Sequence, residues 1–149
     1  MSFEERNTVA GILISLISWG IMITVLARNA SGGLYDGADG PMLWARSVLW
    51  LILICIGIGI AMTILFTICY ALISGDKRPT TLSDERDTVI GLRGIQVTLV
   101  TLSLGVVAAI AALAYGLPLL IPLNMILAAC ALGDMAGSVV KLVLYRRGF

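Results

Sequence analysis

The chain contains no histidine, and only 13% of its 149 residues are charged. Ordinary soluble domains carry about 25% charged residues. The scarcity of charge, 59% apolar residues and a mean hydropathy of +1.01 together indicate a membrane protein. The lack of histidine excludes His-ligated haem, His-based zinc sites and the most common general base. A net charge of +1 without a basic tail argues against direct nucleic-acid contact.

Cysteines and catalytic motifs are also scarce. Cys55, Cys69 and Cys130 all lie within apolar runs, where a free cysteine acts as a small hydrophobic residue. The sequence contains no metal-ligand spacing, no Gly-x-Ser-x-Gly motif and no phosphate-binding loop. We therefore expect no enzymatic activity, no metal site, and no cofactor other than a bound lipid or quinone.

Four apolar segments are long enough to cross a hydrocarbon core about 30 Å thick as helices. They cover residues 8–26, 43–73, 88–115 and 124–145. The sequence therefore predicts an all-α polytopic membrane protein with four transmembrane helices. Small residues at helical spacing in the last two segments favour close helix packing; the main ones are Gly94, Gly105, Gly133 and Gly137.

The sequence repeats itself at an offset of 80 residues. The matched positions are Glu5, Arg6, Thr8, Val9 and Gly11, which recur as Glu85, Arg86, Thr88, Val89 and Gly91. In both copies an acid-rich cluster leads directly into an apolar helix. This repetition predicts two related two-helix halves, residues 1–75 and 76–149. Two-helix halves also favour assembly into a homodimer.

The distribution of basic residues predicts the orientation in the membrane. One face carries Arg6, Lys77, Arg78, Arg86, Arg93, Lys141, Arg146 and Arg147, whereas the other carries Arg28 and Arg46. Because the basic face is cytoplasmic, both termini should be cytoplasmic in a multi-pass protein of the cell (inner) membrane. The second half then enters with the same orientation as the first, which predicts a parallel repeat.

Asp134 is the one carboxylate in the middle of a predicted span. An ionisable group at that depth costs about 3 kcal/mol or more and marks a candidate functional site. Three interpretations stay open: a structural pair with Arg93, a ligand or proton site, and a neutral acid that faces lipid. Gln96 and Asn124 are candidates to extend a polar network around Asp134.

The two acid-rich clusters are the second candidate site. They consist of Glu4, Glu5 and Arg6 in the first copy, and Asp84, Glu85, Arg86 and Asp87 in the second. Acids in the first turn of a helix are stabilised by its dipole, so capping explains the carboxylates. It does not explain the arginines. The alternative is that the two clusters form one charged cytoplasmic surface on which a partner protein docks.

The motif Asp84-Glu85-Arg86-Asp87 at the start of a transmembrane helix resembles that of an uncharacterised family of small four-span prokaryotic membrane proteins. Members of such families are often encoded beside short helix-turn-helix regulators. The resemblance implies a membrane protein that sequesters or controls a transcription factor. The N-terminal copy departs from the motif because Asn7 stands where the second copy has Asp87.

These observations favour a non-enzymatic membrane sensor or anchor over an enzyme. Its expected partners are the lipid bilayer and a cytoplasmic protein, plausibly a small helix-turn-helix regulator, with an apolar ligand near Asp134 as the signal. Two alternatives remain. One is a small proton-coupled transporter that uses Asp134, and the other is an accessory subunit of a membrane complex.

Overall fold

A computed structural model of the protein describes the backbone of residues 3–74 and 85–147 and the side chains of residues 7–69, 72 and 85–147. The described chain is helical throughout, apart from two loops. The helices are α1 (Phe3–Ser31), α2 (Gly40–Ser74), α3 (Glu85–Ala114) and α4 (Leu120–Arg147). Each is long and apolar enough to cross a membrane, which confirms the predicted all-α class with four membrane-length helices. The predicted boundary between the two halves lies outside the described residues.

The helices α1 and α3 end in the same kind of capping motif. The backbone N–H of Leu34 donates to the carbonyl of Asn29, and that of Gly33 donates to Ala30. This pattern, with Gly33 at a φ of 75°, is a Schellman motif. An equivalent pair of bonds, with Gly116 at a φ of 75°, ends α3. Glycine is suited to both positions because an L side chain is strained at positive φ.

The helices α1 and α2 form an antiparallel pair. The Cys55 thiol in α2 contacts the carbonyl of Ser18 in α1 at 3.6 Å, and the second half of α1 packs against the first half of α2. The buried core of this region consists of Met22, Leu26, Tyr35, Trp44, Val48 and Leu51. Leu120, Leu123 and Leu127 of α4 pack against it. We call this end of the bundle, which carries the two loops, the loop end.

The helices α3 and α4 approach each other most closely along a seam of small residues. A Cβ atom added to Gly105 would overlap the Cβ of Ala129. One added to Gly137 would lie 2.7 Å from the carbonyl oxygen of Gly94. The Thr98 hydroxyl lies 3.2 Å from the Gly94 carbonyl oxygen and 3.0 Å from that of Gly133, so its hydrogen bond reaches both helices. The seam depends on the missing side chains because each glycine lets the opposite backbone come close.

The helix α4 is the central element because it contacts all three other helices. The helix α2 is held mainly by α1 and only slightly by α4. Its described side chains beyond Cys55 are mostly exposed, among them Ile60, Ile64 and Phe66. Such an apolar surface is suited to contact with lipid, because the lipid tails cover it. In water the same surface would stay exposed.

Candidate functional site

A polar cleft opens where α1 and α3 begin and α4 ends. It has a volume of about 250 Å³ and is lined by Asn7, Thr8, Gly11, Asp87, Gly91, Ser138, Lys141 and Tyr145. We call this end of the bundle the acidic end and this cavity the polar cleft. Six of the eight side chains carry a polar group. The cleft therefore brings one ammonium and one carboxylate together with neutral hydrogen-bonding groups at the end of the apolar spans.

Two pairs of corresponding positions in the sequence repeat line the polar cleft. Asn7 corresponds to Asp87 and Gly11 corresponds to Gly91, since both pairs are 80 residues apart. The first turns of α1 and α3 therefore lie at the same end of the bundle.

A second, more apolar cleft lies towards the loop end, between α1, α2 and α4. We call it the apolar cleft; it measures about 400 Å³ and is lined by Trp19, Ile23, Leu26, Ala27, Ala30, Tyr35, Asp36, Trp44, Leu120, Asn124, Leu127, Ala128 and Ala131. This volume is within the range of small-molecule sites, about 300–1,000 Å³. Aromatic and aliphatic walls with a few polar groups at one end are typical of a site for an apolar ligand.

Asp134 lies on α4 between the two clefts. Residues at i, i+4 and i+7 share one face of a helix, so Asp134 shares its face with Ser138 and Lys141 of the polar cleft. Ala131, one turn earlier, lines the apolar cleft. Asp134 is half-buried, and no residue in the described part of the chain makes an ion pair or hydrogen bond with it. Asp134 thus lies on α4 between the levels of the apolar cleft and the polar cleft.

Arg93 and Gln96 lie in a separate, open groove. It is lined by Arg93, Gln96, Val97, Val100, Thr101, Val140 and Leu144, and Asp134 is not among these residues. The neighbouring Gly94 faces the Lys141 side chain, and Lys141 is seven residues, or about 10 Å along the helix, from Asp134. The structure therefore does not bring Arg93 to the level of Asp134. Arg93 takes part in an interaction of its own.

Asn124 also lies apart from Asp134, at the loop end. Its side-chain amide donates to the carbonyl of Leu120 at 2.8 Å, and its Oδ1 accepts a hydrogen bond from the Trp44 indole at 3.2 Å. Asn124 thus links α4 to α2 and lines the apolar cleft. The four residues predicted to form one polar network occupy three different places in the fold.

The residues predicted for partner docking are only partly described. Glu85 and Arg86 are exposed in the first turn of α3, whereas Asp87 is half-buried and lines the polar cleft. The side chains of Glu4, Glu5 and Arg6, and the whole of Asp84, lie outside the described residues. The predicted packing glycines Gly94, Gly105, Gly133 and Gly137 all lie in the α3–α4 seam.

Sequence reasoning missed the side chains that build the polar cleft from α4. Lys141 was considered only as a basic residue for the topology, and Ser138 and Tyr145 were not singled out. A signal existed, because Asp134, Ser138, Lys141 and Tyr145 follow one another at steps of four, three and four residues. That spacing places all four on one face of a helix. The spacing alone does not show which helix packs against that face.

Comparison with known proteins identifies no relative: no family model, no curated protein and no solved structure matches the chain. The functional argument therefore depends on the clefts and on the charges that line them.

Proposed function

We propose that this protein is a non-enzymatic integral membrane sensor or anchor that docks a cytoplasmic partner at its acidic end. The observation that carries the proposal is the juxtaposition of Asn7 with Asp87 and of Gly11 with Gly91 in one cleft. It supports the proposal because the first turns of α1 and α3, which carry the two acid-rich clusters in the sequence, lie at the same end of the bundle. Two such clusters together would offer a larger charged surface than the capping of two separate helices requires.

The proposed orientation places the acidic end in the cytoplasm of a bacterial cell, with the protein in the inner membrane. It follows from the excess of Lys and Arg at this end, including Arg146 and Arg147 in the last turn of α4. In this arrangement the two halves form a parallel repeat, and both termini are cytoplasmic. A homodimer is compatible with the exposed side of α2.

The proposed partner is a small basic protein of the helix-turn-helix regulator class. Glu85 is exposed in the first turn of α3 and belongs to a cluster that also contains Asp84. Complementary charge speeds the encounter of two proteins and favours the right partner over others. The membrane protein would hold such a regulator away from DNA and release it when the acidic end rearranges.

The proposed signal is an apolar molecule, such as a lipid or quinone, in the apolar cleft. Ala131 lines that cleft one turn before Asp134, and Lys141 of the same face lines the polar cleft. A ligand that changes how α1 packs on α4 would therefore act on both clefts through one helix pair. A ligand shifts an equilibrium between two states only as far as its affinities for them differ. The ligand must therefore bind one α1–α4 arrangement more tightly than the other.

The experiment that tests the proposal is a mild-detergent purification of the tagged chain from its native cells, followed by mass spectrometry. We expect a small basic DNA-binding protein in stoichiometric amount. Replacing Asp84 and Glu85 with lysine should abolish its retention. The matched comparison is between the single variants Glu85→Lys and Asp39→Lys, which each reverse one exposed acid, the second at the loop end and outside both clefts. Retention that survives the first change, or is lost equally in the control, contradicts the docking proposal.

A proton-coupled transporter is the second candidate, and an accessory subunit of a membrane complex is the third. The placement of Asp134 between two clefts, both lined by α1 and α4, favours the transporter. Proton-coupled export by reconstituted vesicles that disappears in the Asp134→Asn variant would establish this candidate and exclude the anchor as the main activity. Stoichiometric recovery of a larger membrane complex would establish the accessory subunit.

A further inference from the structure

The polar cleft contains two opposite charges that do not touch. Lys141 and Asp87 both line it, and both are half-buried. Neither has an ion pair or a hydrogen bond with a residue in the described part of the chain. Partly buried charges are costly unless they are paired. Two unpaired opposite charges across an open space therefore indicate an occupant that carries the complementary pair.

The seam between α3 and α4 holds the Lys141 side chain in place. A Cβ added to Gly94 would overlap the Lys141 Cε and would lie 2.6 Å from its Cγ and 3.0 Å from its Cδ. Gly94 thus leaves the space through which the aliphatic part of Lys141 reaches the cleft. Long basic side chains commonly bury their methylene groups and present the charge at the end. The ammonium is therefore positioned by the packing of two helices.

Two glycines keep the other walls of the cleft open. A Cβ added to Gly11 or to Gly91 would meet no atom of the described residues within 4 Å. Neither glycine is needed for close helix packing, in contrast to Gly94. Ser138 and Asn7 add neutral hydrogen-bonding groups to the lining. At about 250 Å³ the cleft is suited to a small polar group, because its lining is polar and a hydrocarbon chain would gain little there.

The position of the cleft along the helices suggests the source of that group. Asp87 is in the first turn of α3, and Lys141 lies less than two turns before Arg147 at the end of α4. Charged residues at the ends of apolar spans lie at the level of lipid headgroups. A ligand with a phosphate and a primary ammonium would place an anion on Lys141 and a cation on Asp87.

We propose that the polar cleft binds a phosphoethanolamine group, with its phosphate on Lys141 and its ammonium on Asp87. A phosphatidylethanolamine headgroup and soluble glycerophosphoethanolamine share this chemistry. The inference stands on the cleft itself and does not require a cytoplasmic partner. Asp87 belongs to the second acid-rich cluster and also lines the cleft, so docking is tested separately at Asp84 and Glu85, which the cleft variants leave unchanged.

Native mass spectrometry of the delipidated full-length chain in mild detergent tests this proposal. Phosphatidylethanolamine, phosphatidylglycerol and phosphatidylcholine are titrated in turn. We expect one phosphatidylethanolamine per chain, bound more tightly than the other two lipids. Equal binding of phosphatidylglycerol would show a site for anions only and would overturn the proposal, as would the same affinity for all three lipids.

Variants of the cleft separate its two charges. Lys141→Met and Asp87→Asn should each weaken phosphatidylethanolamine binding by about tenfold or more, because each removes a hydrogen bond between charged groups. Asp87→Asn should leave phosphatidylglycerol binding unchanged. Gly91→Val should block the cleft. The matched controls are Arg46→Met, Asp39→Asn and Gly57→Val. They make the corresponding changes outside the cleft, and Gly57, like Gly91, lies in open space. Equal losses in the controls contradict the assignment.

A competition arm distinguishes the two sources. If soluble glycerophosphoethanolamine displaces the lipid at equal concentration, the site is assigned to a soluble ligand of the same chemistry. If it does not, the acyl chains contribute and the ligand is the lipid. Circular dichroism and gel-filtration profiles equal to those of the unchanged chain show that each variant is folded, so loss of binding reports on the cleft.

Discussion

The indole Nε1–H of Trp44 donates a hydrogen bond of 3.2 Å to the side-chain oxygen of Asn124, a residue 80 positions later. This separation equals the offset of the sequence repeat. At the opposite end of the bundle, Asn7 and Asp87 line one cleft with the same separation. The fold thus brings one pair of residues at this separation together at each end of the bundle.

The hydrogen bond between Trp44 and Asn124 should contribute measurably to stability. We expect a double-mutant cycle with Trp44→Phe and Asn124→Leu to give a coupling of about 0.5–1 kcal/mol, the usual value for such bonds in membranes. The measurement is unfolding of the purified chain in mixed micelles with increasing sodium dodecyl sulfate. Trp44→Phe combined with Thr98→Val is the control, since Thr98 belongs to the α3–α4 seam. A coupling near zero in the first cycle contradicts the prediction.

Two glycines of α3 should respond in opposite ways to the same added methyl group. Gly105→Ala should lower the free energy of unfolding by about 1–3 kcal/mol, because the new Cβ would overlap that of Ala129. Gly91→Ala should be neutral or raise it by up to about 1 kcal/mol, since the site is open and alanine is the better helix former. Unfolding in mixed micelles measures both. Equal effects at the two positions would show that the seam is not tightly packed.

Replacement of Asp134 by leucine distinguishes a structural role from a functional one. Because no described residue pairs with Asp134, we expect Asp134→Leu to raise the free energy of unfolding, by up to about 3 kcal/mol. A structural pair would give the opposite sign, because removing one partner of a buried pair is destabilising. Asp39→Leu, in the exposed loop, is the control and should change little. The measurement is again unfolding in mixed micelles.

Cysteine labelling tests the proposed orientation. The starting point is a chain in which Cys55, Cys69 and Cys130, which are all free, are replaced by alanine. A cysteine at position 39 should react with a membrane-impermeant maleimide in intact cells. A cysteine at position 147 should react only after the cells are opened. The reverse pattern would place the acidic end outside the cytoplasm and would exclude docking of a cytoplasmic regulator there.

Composition alone was sufficient to predict the membrane class and the four helices. A run of about 20 apolar residues has few alternatives to a transmembrane helix, because the backbone must satisfy its own hydrogen bonds in lipid. Every helix begins before its predicted span, and all but α3, which ends at Ala114, also end beyond it; α1 runs from Phe3 to Ser31 against the predicted 8–26. Helix ends depend on capping. The Schellman motif at Gly33 ends α1, and it lies beyond the apolar run.

The candidate sites were harder to predict because they depend on which faces meet. The spacing of Asp134, Ser138 and Lys141 shows that they share one face of α4, since 3.6 residues make one turn. It does not fix which helix covers that face. The sequence offered Arg93 as a partner for Asp134, whereas the register of α3 against α4 places Gly94 opposite Lys141. The sequence of either helix alone does not show a shift of two turns between two antiparallel helices.

The sequence by itself determined the class of this protein, its helices, and the repeat that relates their starts. The class and the helices are local properties, because both follow from the transfer of a continuous segment from water to lipid. The repeat is visible in the sequence itself. Only the tertiary structure decided that α4 is central, that Trp44 meets Asn124, and that Lys141 and Asp87 line one cleft. The physical reason is that helices in lipid are ordered by close packing at small residues, and those contacts join residues far apart in the chain.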